Sequence, residues 1–179
     1  MIKSMQKFLN RFSREEDGQI LLEFVILTPL VFTAFLTAVE LGIYKTRHLF
    51  LDRGLDMAVR NVRLNTGSEY THGDIKEMVC DFAGFLNNCD SQLKLEMSPV
   101  DPRNFTQLAD NEDCTDASQP VNPSHMFVLG GQNELMLLRA CYKFKPVFPT
   151  AGLGYDFATN GDGAGMAKMV SIAAFVQEP

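Results

Sequence analysis

From Ile20 to Tyr44 the chain reads ILLEFVILTPLVFTAFLTAVELGIY, a run broken only by Glu23 and Glu40 near its two ends. Roughly 20 apolar residues cross a bilayer core as an α-helix, so this run predicts a single transmembrane helix and leaves everything after it to fold on one side of the membrane. Lys3, Lys7, Arg11 and Arg14 precede it. Basic residues are retained on the cytoplasmic side, whereas Glu15, Glu16 and Asp17 weigh little in setting orientation. The expected topology is therefore an N-terminus in the cytoplasm and an exported C-terminal portion. Ordinary signal-peptidase cleavage needs small residues three and one positions before the cut. Of Thr28, Thr33, Ala34, Thr37, Ala38, Gly42 and Thr46, no two are spaced that way.

Glu23 is the residue in this run that asks for an explanation. A carboxylate inside an apolar helix costs up to roughly 3 kcal/mol, and such residues are usually paired or functional. Gly18 lies just upstream, at the end of a short basic leader. Cutting between Gly18 and Gln19 would create a positive α-amino group one helical turn before Glu23, on the same face. That amine, on the same chain or on a neighbour, would neutralise the carboxylate and set the register of an assembled bundle.

The stretch DGQILLEFVILTPLVF, with Gly18, Glu23, Phe24 and Pro29 at these positions, resembles the N-terminus of the TadE-like pseudopilins of the tight adherence (Flp, type IVc) pilus system. The resemblance covers roughly residues 17 to 45. It implies processing by a prepilin peptidase at the bacterial inner membrane and a periplasmic head. It also implies a role as a minor subunit in pilus assembly, with other minor and major pilin-like subunits and the inner-membrane assembly platform as partners. The acidic residues Glu15, Glu16 and Asp17 beside the cut depart from the basic leaders of most type IV prepilins. Pro29 removes one backbone hydrogen bond and crowds the carbonyl of Val25, so a kink or a locally loosened turn is expected there.

Three segments follow: a leader at 1–18, a transmembrane helix at 19–45 and a head at 46–179. With 179 residues and 46% hydrophobic content there is material for one modest folded domain. The net charge is −6, and removing the leader, with its four basic and three acidic side chains, leaves −7. Nucleic-acid binding needs clustered Lys and Arg on a folded face, so none is expected. Cys80, Cys89, Cys114 and Cys141 all lie beyond the apolar run, an even set suited to two disulfides in an oxidising compartment. Four cysteines allow three pairings. Short-range closure favours Cys80 with Cys89, leaving Cys114 with Cys141 to tie down a proline-rich loop.

In the head, Tyr44, His48, Leu51, Leu55, Ala58 and Val62 follow three- and four-residue steps, so the first helix should continue to about Asn65 with one buried stripe. His48 reads as a packing residue with no local partner. A second helix is expected over Asp74–Leu86, capped by Asp74 and Glu77 and stopped at Asn87-Asn88. Leu93, Leu95 and Met97 mark a half-buried strand, and Met136, Leu138, Ala140, Tyr142 and Phe144 a longer one. Met126 to Leu129 is expected to pair with the latter through Gly130-Gly131. Met166 to Val176, apolar on both faces, suits a strand covered on each side. The predicted fold class is α+β and pilin-like: a long N-terminal helix packed against a small, mainly antiparallel sheet.

Enzyme templates fail. There is no Gly-x-Ser-x-Gly, His-Glu-x-x-His, phosphate loop or Cys-x-x-Cys, so neither catalysis nor a cofactor is expected. The acidic groups Asp110, Glu112, Asp113, Asp116 and Asp156, Asn160, Asp162 lack the fixed Gly and distal Glu of an EF-hand and read as solvated loops, with no metal expected. The contrasting possibility is a signal-anchored envelope protein with an uncut leader and a ligand- or surface-binding head.

Overall fold

The computed structural model describes residues 18–64, 70–103, 114, 127–160 and 165–178. Most of the leader and the acidic group at 110–116, apart from Cys114 itself, lie outside that set. So do Thr66-Gly67-Ser68, Met126 and Asp162.

Helix α1 spans Gln19–Leu64 without interruption and contains Pro29. At about 1.5 Å per residue it is about 69 Å long, more than twice a bilayer core. Its distal half presents the expected stripe, with Leu51, Leu55, Ala58 and Val62 buried. Helix α2, His72–Ala83, lies across it. The two approach closely at Gly54, where a Cβ would stand 2.6 Å from the Val79 carbonyl oxygen and 3.0 Å from the Ala83 Cβ. Any side chain there would push the helices apart.

α2 begins and ends earlier than the expected Asp74–Leu86. Its cap is Thr71, whose hydroxyl accepts the Asp74 N–H at 3.3 Å while the Asp74 carboxylate accepts the Thr71 N–H at 2.8 Å. The reciprocal box is therefore Thr71–Asp74 rather than Asp74–Glu77, because a hydroxyl on extended backbone reaches the N–H three residues on. Thr71, through its hydroxyl first and its N–H second, holds the Asp74 carboxyl below its ordinary range. Gly84 ends the helix at φ +51°, a left-handed conformation that costs glycine little. Leu86 is buried beyond that stop, and a short α3, Cys89–Gln92, leads into the sheet.

The sheet is antiparallel, in the order β1 (Leu93–Pro99), β2 (Leu135–Phe144), β3 (Ala167–Val176). Leu93, Leu95 and Met97 face Met136, Leu138, Ala140, Tyr142 and Phe144 within one core against α1 and α2. This is the α+β arrangement that the alternating patterns predict. Two details differ. Phe127 bridges Met97 of β1 in parallel, and the Val128 N–H donates to Met97, so this segment extends the β1 side and forms no hairpin with β2. β3 is an edge strand covered on one face only: Ala167, Met169 and Phe175 are buried, while Lys168, Ile172, Ala174 and Val176 are exposed. Small apolar residues on both faces read the same in a strand with one dry face as in one with two.

On the sheet face away from α1, Arg139 and Glu96 stand opposite each other as a buried ion pair. Cys141 shares that face and bonds Cys114, with Cα atoms 5.3 Å apart, and Cys80 bonds Cys89, with Cα atoms 5.7 Å apart. The two sequence separations are 27 and 9. In the chain-entropy model those loops stabilise by about 3.5 and about 2.6 kcal/mol. Replacing Cys114 and Cys141 with Ser should therefore lower the unfolding midpoint of the head more than replacing Cys80 and Cys89, as read by urea titration in detergent.

His72, in the first turn of α2, sets its ring edge-on to Phe127 at 5.0 Å, and its Nε2 is buried with no hydrogen-bond partner among the described residues. Desolvation pulls its pKa below the ordinary value, opposed by a hydrogen bond to the Leu95 backbone and reinforced by Lys76 and Lys94. The folded head then binds fewer protons here than the unfolded chain. The stability held above about pH 6.5 is lost as pH falls through the lowered value. The native chain should lose more stability between pH 7 and pH 5 than His72→Gln, compared by urea midpoints at each pH.

Candidate functional site

Two zones of α1 concentrate the unusual chemistry. The first is its bare N-terminal third. Gly18 is exposed at the helix entrance and Gln19 is the first residue of α1. Ile20, Leu21, Leu22, Phe24, Val25, Ile26, Leu27, Leu30, Val31, Phe32 and Phe35 are each more than half exposed. Among the described residues, the head first comes near this helix at Thr33 and Thr37, beside Gly152. A helix this apolar and this bare is long enough to cross a membrane. Glu23 and Phe24 lie in it, exposed, with Glu23 one turn beyond the Gln19 backbone nitrogen. Pro29 is exposed as well, and the Thr33 hydroxyl donates to its carbonyl at 2.8 Å.

The second zone is a collar where the head grips the helix. Glu40, the other carboxylate of the apolar run, is fully buried. Its oxygens accept the backbone N–H of Val147 at 3.0 and 3.1 Å and that of Phe148 at 2.9 Å. The chain leaving β2 is thereby fastened to α1 five residues inside the segment assigned to the bilayer. Helix α4, Gly152–Asn160, follows directly. Gly152, at φ +51°, lies against the Thr37 side chain, and Gly154 packs under the Phe148 carbonyl and the Glu40 carboxylate, where a Cβ has no room. Asp156 thus sits on a helix rather than in a glycine-rich loop, because the glycines serve close approach to α1. Above Glu40, Tyr44 packs on Phe157 at 5.0 Å and Phe144 at 5.9 Å.

A turn further along, His48 has the local partner that its sequence position hides. Asp52, four residues on, holds Nδ1 at 3.0 Å, Nε2 meets the Val170 carbonyl at 3.2 Å, and the Ser171 hydroxyl donates to Asp52 at 2.5 Å. The carboxylate stands between hydroxyl and imidazole, so the Ser171 hydroxyl bonds Asp52 and not the His48 ring, and the trio lacks the serine–histidine–aspartate order of a nucleophilic triad. It is a stitch between α1 and β3. Arg63 with Glu178, at 2.9 Å, makes a second one further out.

These stitches set the strand's direction. His48 meets Val170 and Arg63 meets Glu178, so β3 runs the same way as α1. The Gln177 N–H donates toward β2, to the Glu134 carbonyl at 3.0 Å. By alternation, Ile172, Ala174 and Val176 turn their backbone N–H and C=O toward the outer edge, where no strand pairs among the described residues. A groove lined by Asp56, Arg60 and Arg63 of α1 and by Ile172 and Phe175 of β3 runs along that edge.

Among the described residues no three His, Cys, Asp or Glu side chains gather as a metal site. No family model matches the chain, and neither a curated protein nor a solved structure does.

Glu40, Asp52, Ser171 and the glycines of α4 were not singled out from sequence. Glu40 carried a signal, since the burial cost that draws attention to Glu23 applies to it equally. Removing its carboxylate strands two part-buried N–H donors, each costing about 1–2 kcal/mol, the lower part of the range for a buried donor. Glu40→Ala should destabilise the head by about 2–4 kcal/mol and Glu40→Gln, which keeps one acceptor oxygen, by less, as measured by chemical denaturation in detergent.

Proposed function

We propose that this chain is a minor pseudopilin-like subunit of a tight adherence pilus. In this reading it is held in the bacterial inner membrane by α1, with its head in the periplasm, and is released for assembly by cleavage between Gly18 and Gln19. The observation that carries this reading is the placement of Gly18 and Glu23 on a bare apolar helix. Cleavage makes a positive α-amino group one helical turn before the Glu23 carboxylate, near enough to pair with it on the same chain or on a neighbour. Pairing between subunits would select register and neighbours more than add stability.

The head supports a structural role. It covers α1 on one side from the collar outward and leaves the first third bare for other apolar helices. The open β3 edge offers backbone donors and acceptors to a neighbour. Two copies in one membrane share the direction of α1 and therefore of β3, so their β3 edges cannot pair antiparallel about a two-fold axis.

Coexpression with a prepilin peptidase should remove residues 1–18, read as intact mass. An unchanged mass would leave the uncut, signal-anchored envelope protein as the better description. Glu23→Ala should still be cleaved yet fail to co-purify with pilin-like partners, with piliation lost. Unaltered co-purification and piliation would remove the charge-pairing mechanism.

A further inference from the structure

The exposed apolar run Ile20–Phe35 rises about 24 Å at about 1.5 Å per residue, against about 30 Å for a bilayer core. The shortfall, about 6 Å, is four residues of helix. Those residues, from Leu36 to Val39 with Glu40 following, are where the head begins to cover α1: Leu36, Thr37 and Val39 are half-buried and Glu40 is buried. For the helix to fill the hydrocarbon layer, the segment covering it must enter that layer too.

The covering segment is composed for such a position. From Pro146 to Tyr155 it reads PVFPTAGLGY, with no charged residue. Val147 and Tyr155 are 45% and 54% exposed, and Phe148, Pro149 and Leu153 are half-buried. Irregular backbone is tolerated at membrane depth only when its polar groups are bonded within the protein. Here the Val147 and Phe148 N–H groups go to Glu40, the Ala151 N–H to the Phe148 carbonyl at 3.2 Å and the Tyr155 N–H to the Ala151 carbonyl at 3.4 Å. Directly above stand three cations, Lys45 and Lys145, both exposed, and Arg47, which reaches the Lys145 carbonyl at 3.4 Å and covers the Phe144 ring. One carboxylate, Asp156, shares their level. A neutral, aromatic-tipped foot under a cationic rim matches the step from acyl chains to phosphate headgroups.

We infer that residues 146–155 form a foot seated in the outer leaflet of the membrane that α1 spans, with lipid as its partner and Lys45, Arg47 and Lys145 at the level of the phosphates. The head is then fixed in height and tilt by the bilayer rather than carried freely on a stalk. Glu40 lies beneath the foot, screened from lipid by the backbone it binds.

This inference rests on α1 spanning the membrane, and one set of variants separates the two. The chain contains no tryptophan, so single Trp substitutions report position without background. Full-length Phe32→Trp, Tyr155→Trp, Val147→Trp and Leu64→Trp are reconstituted in phosphatidylcholine–phosphatidylglycerol vesicles carrying lipids brominated near the headgroup or near the chain end. Phe32→Trp should be quenched most by chain-end bromines. Tyr155→Trp and Val147→Trp should lose at least half their emission to headgroup-proximal bromines, and Leu64→Trp, at the distal end of α1, should be unaffected. If Phe32→Trp is quenched while Tyr155→Trp and Val147→Trp behave like Leu64→Trp, the foot is wrong and the anchor stands. If Phe32→Trp is not quenched, the anchor fails and the foot with it.

Discussion

The Glu40 carboxylate and the two N–H groups it accepts decide how the head meets its helix. An apolar helix offers a neighbouring chain no directional contact, so a head attached to one by packing alone would be free to slide or rotate. A single acceptor at one depth removes that freedom, because the N–H groups of Val147 and Phe148 are satisfied at one height and one azimuth only. Burial strengthens the arrangement, since an unmade hydrogen bond away from water costs more than a made one contributes. Glycine at 154 is what lets the backbone come near enough.

From that point outward, polar stitches and apolar packing alternate along α1. Tyr44, Phe144 and Phe157 form an aromatic layer, and His48, Asp52 and Ser171 tie β3 to the helix above it. Leu51, Leu55 and Ala58 then enter the core shared with α2 and the sheet, and Arg63 with Glu178 closes the far end. The stitches are spaced by helical turns. They hold β3 parallel to α1, so the strand edge that has no paired strand among the described residues runs along the helix axis. The geometry that makes this head rigid on its helix is thus also what makes its free edge directional.

The parts of this fold legible in the sequence are those set by local periodicity. The α1 stripe and the alternation in β1 and β2 follow from which face each residue must share, and they appear where expected. Capping was partly legible: Thr71 and Asp74 satisfy the same rule that suggested Asp74 and Glu77, one turn earlier. Helix α4 was not legible, because Gly152, Gly154 and the glycines after Asn160 carry the composition of a loop. Gly152 and Gly154 answer a demand for close approach that exists only once α1 is beside them. The role of β3 as an edge was hidden because Ala173, Ala174 and Val176 suit a wet face and a dry one alike.

By itself the sequence determined the long apolar helix, the spacing of Gly18 to Glu23, the even cysteine set and the α+β class, all consequences of residues near one another in the chain. The tertiary structure alone decided what Glu40 binds, which strand lies at the edge and where the head sits along the helix. Glu40 meets residues 107 and 108 positions away, and Asp52 meets Ser171 across 119. No local pattern records a contact of that range, because the hydrogen bond depends on three-dimensional approach while the side chain that makes it looks the same wherever it points.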